Sequence, residues 1–215
     1  AEKSGLFVDF ITTDGASWNR KMWRMMGIHA TASSIKCKVQ HPSDPKRHLF
    51  FNSDFPHLIK CLRNSLLKSG FNTPAGHVSI RPVREAYKID ANNVTLKAMP
   101  GITECHLNPN GFEKMRVSIA FQLFGARVLQ AFHLYRNELD KIFGTINATQ
   151  EFFSKVSQLI SVMTSRYAAE ALRPGSLKEE TLKDFLSYLD QWERHAKGTG
   201  GFLSDSTAAS LRETI

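Results

Sequence analysis

Two apolar runs that each stop at an acid constrain this chain more than any other feature. Leu6 to Thr12 is β-branched and aromatic and reads as a mostly buried strand, which Asp14-Gly15-Ala16-Ser17 breaks as a strand-to-helix turn. The residues that follow put Trp18, Met22, Met25 and Met26 at helical spacing with Gly27 as a stop, and such a stripe is expected to be core. The second run passes through Phe51 and ends at Asp54. Pro56 then marks a helix start, and Leu58, Ile59, Leu62, Leu66 and Leu67 share a face up to Gly70. Strand followed by helix, twice, is an α/β reading. It places Asp14 at the carboxyl end of a strand, the edge where ligands and metals bind in open α/β sheets. The polar segment 40–48 between the two units reads as a surface turn.

After Gly70 the pattern changes. A polar, glycine- and proline-containing stretch leads to a short helix near Pro82 to Ile89, then to a loop. From Phe112 the chain reads helical, with one long segment marked by Met115, Ile119, Phe121, Leu123, Phe124, Val128, Leu129 and Phe132. A second helix begins near Thr149. A third follows Ser176, an N-cap whose capping box is completed by Glu179. Segment 197–201 is a flexible break before a final cap and helix. The chain starts just before a strand without methionine and stops without a cap, and two βα units alone make a poor sheet, so a piece of a longer protein is expected.

Composition narrows the partners. Hydrophobic residues make up 42% of the 215 and charged residues 22%, as in soluble globular proteins. No apolar run approaches the roughly 18 residues of a membrane span, and no signal-peptide pattern opens the chain. Cys37, Cys61 and Cys105 form neither a disulfide framework nor a zinc pattern, and read as buried free thiols suited to a reducing compartment. The net charge of +8 is lopsided: 15 Lys/Arg face 8 Asp/Glu through Asn110, against 13 and 12 thereafter. A basic α/β half points to a polyanionic partner or to a solvated basic surface. There is no GxxxxGK[ST] phosphate loop.

Four blocks, ITTDGASWNRKMWRMMGI, FFNSDFPHLIKCLRNSLL, GFEKMRVSIAFQLFG and GFLSDSTAASLRETI, resemble in this order the P-element type transposases, a group that includes the vertebrate THAP-domain transposases. Asp54 to Asn64 is the most specific block. The resemblance implies an α/β plus α-helical fold: a partial RNase H-like nuclease fold over 1–70, a mostly helical insertion of GTP-binding type over 71–200, and a return toward the nuclease fold over 201–215. Asp14 matches the second acid of an Asp-Asp-Glu site and is expected to be catalytic and a Mg²⁺ ligand. Paired divalent ions need oxygen ligands converging from separate elements, and an acid at a strand end supplies one in fixed geometry. Asp54 and His57 match an Asp-x-x-His motif that supports the fold around the site, although an N-cap acid and a helix-start histidine explain them equally well. The first Asp is expected upstream of this segment and the Glu downstream of Ile215, so the segment alone is not expected to cut DNA.

For the nucleotide, Lys97 and Val117 match positions that contact GTP in the family, while Lys97 by residue type alone is a solvated loop lysine. Ser161 and Thr164 stand where the family has an Asp and an Asn near guanine. Without that carboxylate the donors on the purine edge lose their charged acceptor, which makes GTP a doubtful cofactor and predicts nucleotide binding that is weak or altered, with little base selectivity. The resemblance further implies transposon-end DNA as partner, self-association, no membrane and a nuclear location. Two other readings stay open: a domesticated host-encoded relative without catalysis, and a basic α/β module whose strand-end acids hold a small ligand.

Overall fold

A computed structural model of the chain describes residues 2–94 and 96–215. Its strands are β1 (Phe10–Thr13), β2 (His29–Ala30), β3 (Ile35–Lys36), β4 (Lys38–Gln40), β5 (His48–Ser53), β6 (Phe71–Thr73) and β7 (Gly76–Val78). The helices are α1 (Ser17–Met25), α2 (Phe55–Lys68), α3 (Arg81–Asn92), α4 (Glu104–Leu107), α5 (Val117–Leu123), α6 (Ala126–Leu134), α7 (Arg136–Phe143), α8 (Asn147–Met163), α9 (Leu177–Ala196) and α10 (Asp205–Thr214). Two compact units result. One comprises the residues up to Leu58 together with Leu203–Ile215, the other Ile59–Phe202, so the division falls inside α2.

In the first unit β1, β5 and β4 form a sheet in that order. β1 and β5 run parallel, from Phe10 opposite Phe50 to Thr13 opposite Ser53, and β4 joins β5 antiparallel. Parallel neighbours need a crossover, and the stretch carrying α1 supplies it. Successive side chains of a strand point to opposite faces, so Leu49, Phe51 and Ser53 of β5 are buried together. Leu49 and Phe51 close over Trp23 and Ile28, with Val8, Ile11 and Val39 at the margin. The Trp23 ring meets Phe51 edge-on at 5.8 Å. α10 begins at Ser204, whose side chain accepts from the Thr207 N–H, and packs on β5 and β2. Its Thr214 Oγ1 accepts from the Ser53 N–H at 2.9 Å.

Two expectations fail here. The first strand starts at Phe10 rather than Leu6, because pairing with β5 begins only there; Leu6 and Phe7 are exposed. The Trp18, Met22, Met25 and Met26 stripe is not core either. All four side chains are exposed, and Trp23 is the α1 residue turned inward. Helical spacing identifies residues that share a face; which face is covered depends on the neighbours, and here Arg20 faces α10 while Trp23 faces the sheet.

The second unit is organised by aromatic side chains. Trp192 of α9 meets Phe71 at 4.8 Å, Phe202 at 4.9 Å and Phe152 at 5.8 Å, and its indole N–H donates to the Gly201 carbonyl. Phe152 and Phe153 of α8 extend the cluster to Phe124 and Phe132. The stretch after Gly70, read as a polar segment, is a hairpin of β6 and β7. Gly70 turns the chain into it with φ +68°, and a Cβ there would lie 2.4 Å from the Val78 carbonyl oxygen. Among the described residues no strand lies between 112 and 196.

The single long helix expected from Phe112 is instead a 3-10 turn at Glu113–Met115 followed by α5 and α6. Arg116 and Gly125 take extended conformations at the two helix starts. The apolar period runs through the breaks because Ile119, Leu123, Phe124, Val128 and Phe132 all enter one core. The same window, Val117–Leu134, is long and apolar enough by composition to cross a membrane, contrary to the sequence reading. It is interrupted at Phe124 and Gly125, and Ile119, Leu123, Phe124, Val128 and Phe132 within it are buried in this unit while Leu134 is exposed. The three cysteines are free, and half-buried rather than buried.

Candidate active site

Asp14 lies one residue past the last β1–β5 pair. Its Oδ1 accepts from the Ala16 N–H at 3.0 Å and from the Asn19 side-chain amide at 3.0 Å. The Ala16 hydrogen bond, then Asn19 and the nearby His57 imidazole, hold its carboxyl below the usual carboxylate range. Asp14 is therefore ionised, exposed and fixed in direction at neutral pH. The turn requires Gly15, whose φ is +75°. The Gly15 carbonyl accepts from Arg20 Nε at 3.0 Å, and the same guanidinium donates to the Ser206 carbonyl and the Ser210 hydroxyl of α10.

Asp54 occupies the matching position after β5. Its N–H donates to the Thr13 carbonyl at 2.7 Å, which continues the ladder and brings the two acids to the same edge of adjacent parallel strands. Neighbouring strands lie about 4.8 Å apart. The Asp54 carboxylate, however, accepts from the His57 N–H at 3.2 Å and caps α2. Among the described residues no three His, Cys, Asp or Glu side chains are grouped to hold a metal. Asp14 has the hard oxygen chemistry that Mg²⁺ prefers and can serve as one ligand of such an ion.

Beside this edge lies a feature that the sequence did not signal. A cavity of about 370 Å³ is lined by Arg20, Trp23, Arg24 and His29 from one side and by Asp205, Ser206 and Glu213 of α10 from the other. Burial pushes the Glu213 carboxyl up to about 7, against the opposing pull of Arg20. Nothing in SLRETI distinguishes that glutamate from a solvated one until α10 is docked on β5.

The residues matched to nucleotide contacts sit at helix ends in the second unit. Lys97 donates from Nζ to the Asp90 and Ala91 carbonyls, at 2.7 and 2.8 Å, and so caps α3. Asp90 itself is buried and accepts from the Ala98 and Met99 N–H groups and from the Tyr135 hydroxyl. Val117 opens α5, after a turn tied to buried Arg63 through the Lys114 carbonyl. Ser161 is exposed near the end of α8, and the Thr164 hydroxyl donates back to the Ile160 carbonyl at 2.7 Å. No hydrogen bond joins any two of Lys97, Val117, Ser161 and Thr164 among the described residues.

These features fall within a defined class. Residues 56–173, more than half of the chain, match the family described as TNP-like, GTP-binding insertion domain, and the chain belongs to that family. It is 33% identical over 122 residues to the transposable element P transposase of Drosophila melanogaster, an alignment covering 57% of this chain and 16% of that protein. Human DNA transposase THAP9 is 31% identical over 61 residues, covering 28% of this chain and 7% of THAP9. The fold is that of the transposase in the Drosophila P element transposase strand transfer complex, with a TM-score of 0.76, 22% identity, 99% of this chain covered and 47% of that one. The chain thus spans less than half the length of the relatives it matches.

Proposed function

We propose that this chain is the central part of a DNA transposase in which the first unit contributes to an RNase H-like nuclease and the helical unit is its nucleotide-binding insertion. The nuclease part then comprises the residues up to Leu58 with Leu203–Ile215, and the insertion Ile59–Phe202, so most of α2 goes with the insertion instead of with a nuclease part running to residue 70. The observation that carries it is the placement of Asp14 and Asp54 at the carboxyl edge of two parallel strands in a chain that shares the P element transposase fold. Asp14, ionised and aimed by Ala16 and Asn19, is the metal-binding carboxylate. Bound divalent ions would stabilise the attacking and leaving oxygens of phosphoryl transfer. Asp54 and His57 hold the start of α2 beside it, and the remaining acids come from outside this segment, so the segment alone does not cleave. Transposon-end DNA is the substrate, with self-association on it and a nuclear location.

In the insertion, Lys97 and Val117 mark the nucleotide site. Lys97 in this conformation is engaged with carbonyls, and Ser161 and Thr164 offer hydroxyls only, so nucleotide binding is weak and GTP has no strong preference over ATP.

The test is strand cleavage by the full-length protein containing this segment. Asp14→Ala abolishes metal-dependent cleavage while DNA binding and thermal stability persist. Cleavage at the wild-type rate would remove Asp14 from the catalytic set.

A further inference from the structure

α1 carries a face that the proposed chemistry does not use. Trp18, Met22 and Met25 lie at i, i+4 and i+7 and so on one side of the helix, turned away from Trp23; Trp18 is 73% and Met25 80% exposed. The same nine residues hold Arg20, Lys21 and Arg24 and no acid. At about 100° per residue, Lys21 flanks the apolar stripe and Arg24 lies next to it. Both are exposed, and neither forms an ion pair among the described residues.

Charge decides what such a face can receive. A contiguous exposed apolar face marks an interaction surface. A second copy laid against it would bring cationic α1 onto cationic α1, a like-charge contact that disfavours pairing. Unpaired nucleic acid offers the complement: phosphates for Lys21 and Arg24, and base planes for the indole and thioethers. The position agrees. Trp18 adjoins Asn19, whose amide holds the Asp14 carboxylate at 3.0 Å, so the exposed indole and the candidate metal ligand are on neighbouring turns of chain.

We infer that the Trp18–Met22–Met25 face of α1 docks unpaired DNA bases flanking the phosphate that Asp14 serves, with Trp18 stacking on a base and Lys21 and Arg24 holding adjoining phosphates. The inference rests on the proposed DNA processing but not on catalysis by Asp14.

The test uses the 215-residue chain in EDTA, with oligonucleotides carrying 2-aminopurine in a single-stranded flank, so that no cleavage intervenes. The wild-type chain quenches the probe and binds the flanked duplex more tightly than a blunt one. Trp18→Ala weakens binding about fivefold or more and removes the quenching, whereas Trp18→Phe keeps most of both. Lys21→Ala with Arg24→Ala weakens every sequence alike and lowers the salt slope by about 1 to 2. Because Trp18 is exposed, its variants keep the wild-type unfolding temperature. Unchanged DNA affinity and quenching in Trp18→Ala overturn the inference, as does a change in sedimentation alone, which would mean that the face meets protein. Asp14→Asn leaves the quenching intact, so failure of the stacking face and failure of the catalytic reading are read separately.

Discussion

Asp14 and Asp54 follow the last pair of the parallel β1–β5 ladder, Thr13 and Ser53, yet their carboxylates do different work. Asp54 accepts from the His57 N–H and caps α2; Asp14 stays exposed, held by Ala16 and Asn19. Replacing Asp54 by Ala therefore costs about 1 kcal/mol, within the range for N-caps, as read by urea denaturation. If Asp14 has the proposed catalytic role, Asp14→Asn is expected to leave the urea midpoint close to wild type while abolishing the cleavage proposed for the full-length protein. A large fall in stability for Asp14→Asn would mean that the acid is structural.

Glu213 makes the first unit sensitive to pH. Burial lifts its carboxyl from the ordinary glutamate range to about 7, so the folded state holds the proton more tightly than the unfolded chain does. That contribution is complete below about pH 4.5, and it is lost as pH rises through about 7. Partial solvation limits it to on the order of 2 kcal/mol. Glu213→Gln, which keeps the shape of the neutral acid, flattens stability between pH 5 and 8. An unchanged slope in that variant would remove Glu213 as the source.

The Asp90 hub ties the 97–99 loop to α3 and Tyr135. Asp90→Ala strands the Met99 N–H and the Tyr135 hydroxyl in the interior, at about 1–3 kcal/mol for each buried donor, and releases the half-buried Ala98 N–H. Tyr135→Phe removes one bond and costs about 1 kcal/mol. In a double-mutant cycle the two changes are expected to be strongly non-additive, since Tyr135→Phe also removes a donor that Asp90→Ala would leave unpaired.

Trp192 is expected to dominate the stability of the second unit. Trp192→Ala opens a cavity among Phe71, Phe152 and Phe202 and costs about 3–5 kcal/mol. Trp192→Phe keeps most of the ring contacts and loses chiefly the bond to Gly201, so the loss is smaller. Calorimetry of the two variants measures the difference.

Nucleotide binding tests the α8 substitutions. From the proposed nucleotide site, GTP and ATP are expected to bind weakly and with similar, salt-sensitive affinity, because phosphate attraction depends on charge and not on the base. Introducing Ser161→Asp together with Thr164→Asn restores a charged acceptor for the guanine N1 and N2 donors and shifts the ratio toward GTP. Titration calorimetry with both nucleotides gives the ratio. A strong GTP preference in the unmodified chain would mean that another acid fills the role.

Much of this architecture is written in local sequence. Ser176 and Ser204 cap helices through their own side chains, Pro56 sits in the first turn of α2, and the alternation through Leu49, Phe51 and Ser53 marks a strand with one buried face. Each signal acts within a few residues, so the chain determines it without reference to the rest of the fold. Tertiary packing decided what periodicity leaves open. The α1 stripe has strong helical spacing, yet Trp23 is buried and Trp18 exposed, because docking on Phe51 and α10 chose the covered face. The long apolar pattern after Phe112 is two helices meeting at Gly125, since both can send their apolar residues into one core. The placement of Asp14 and Asp54 at one sheet edge likewise depends on a 40-residue register between β1 and β5, and the raised carboxyl of Glu213 on α10 closing over β5 from the far end of the chain. Burial and register are properties of neighbours distant in sequence, which local composition does not encode.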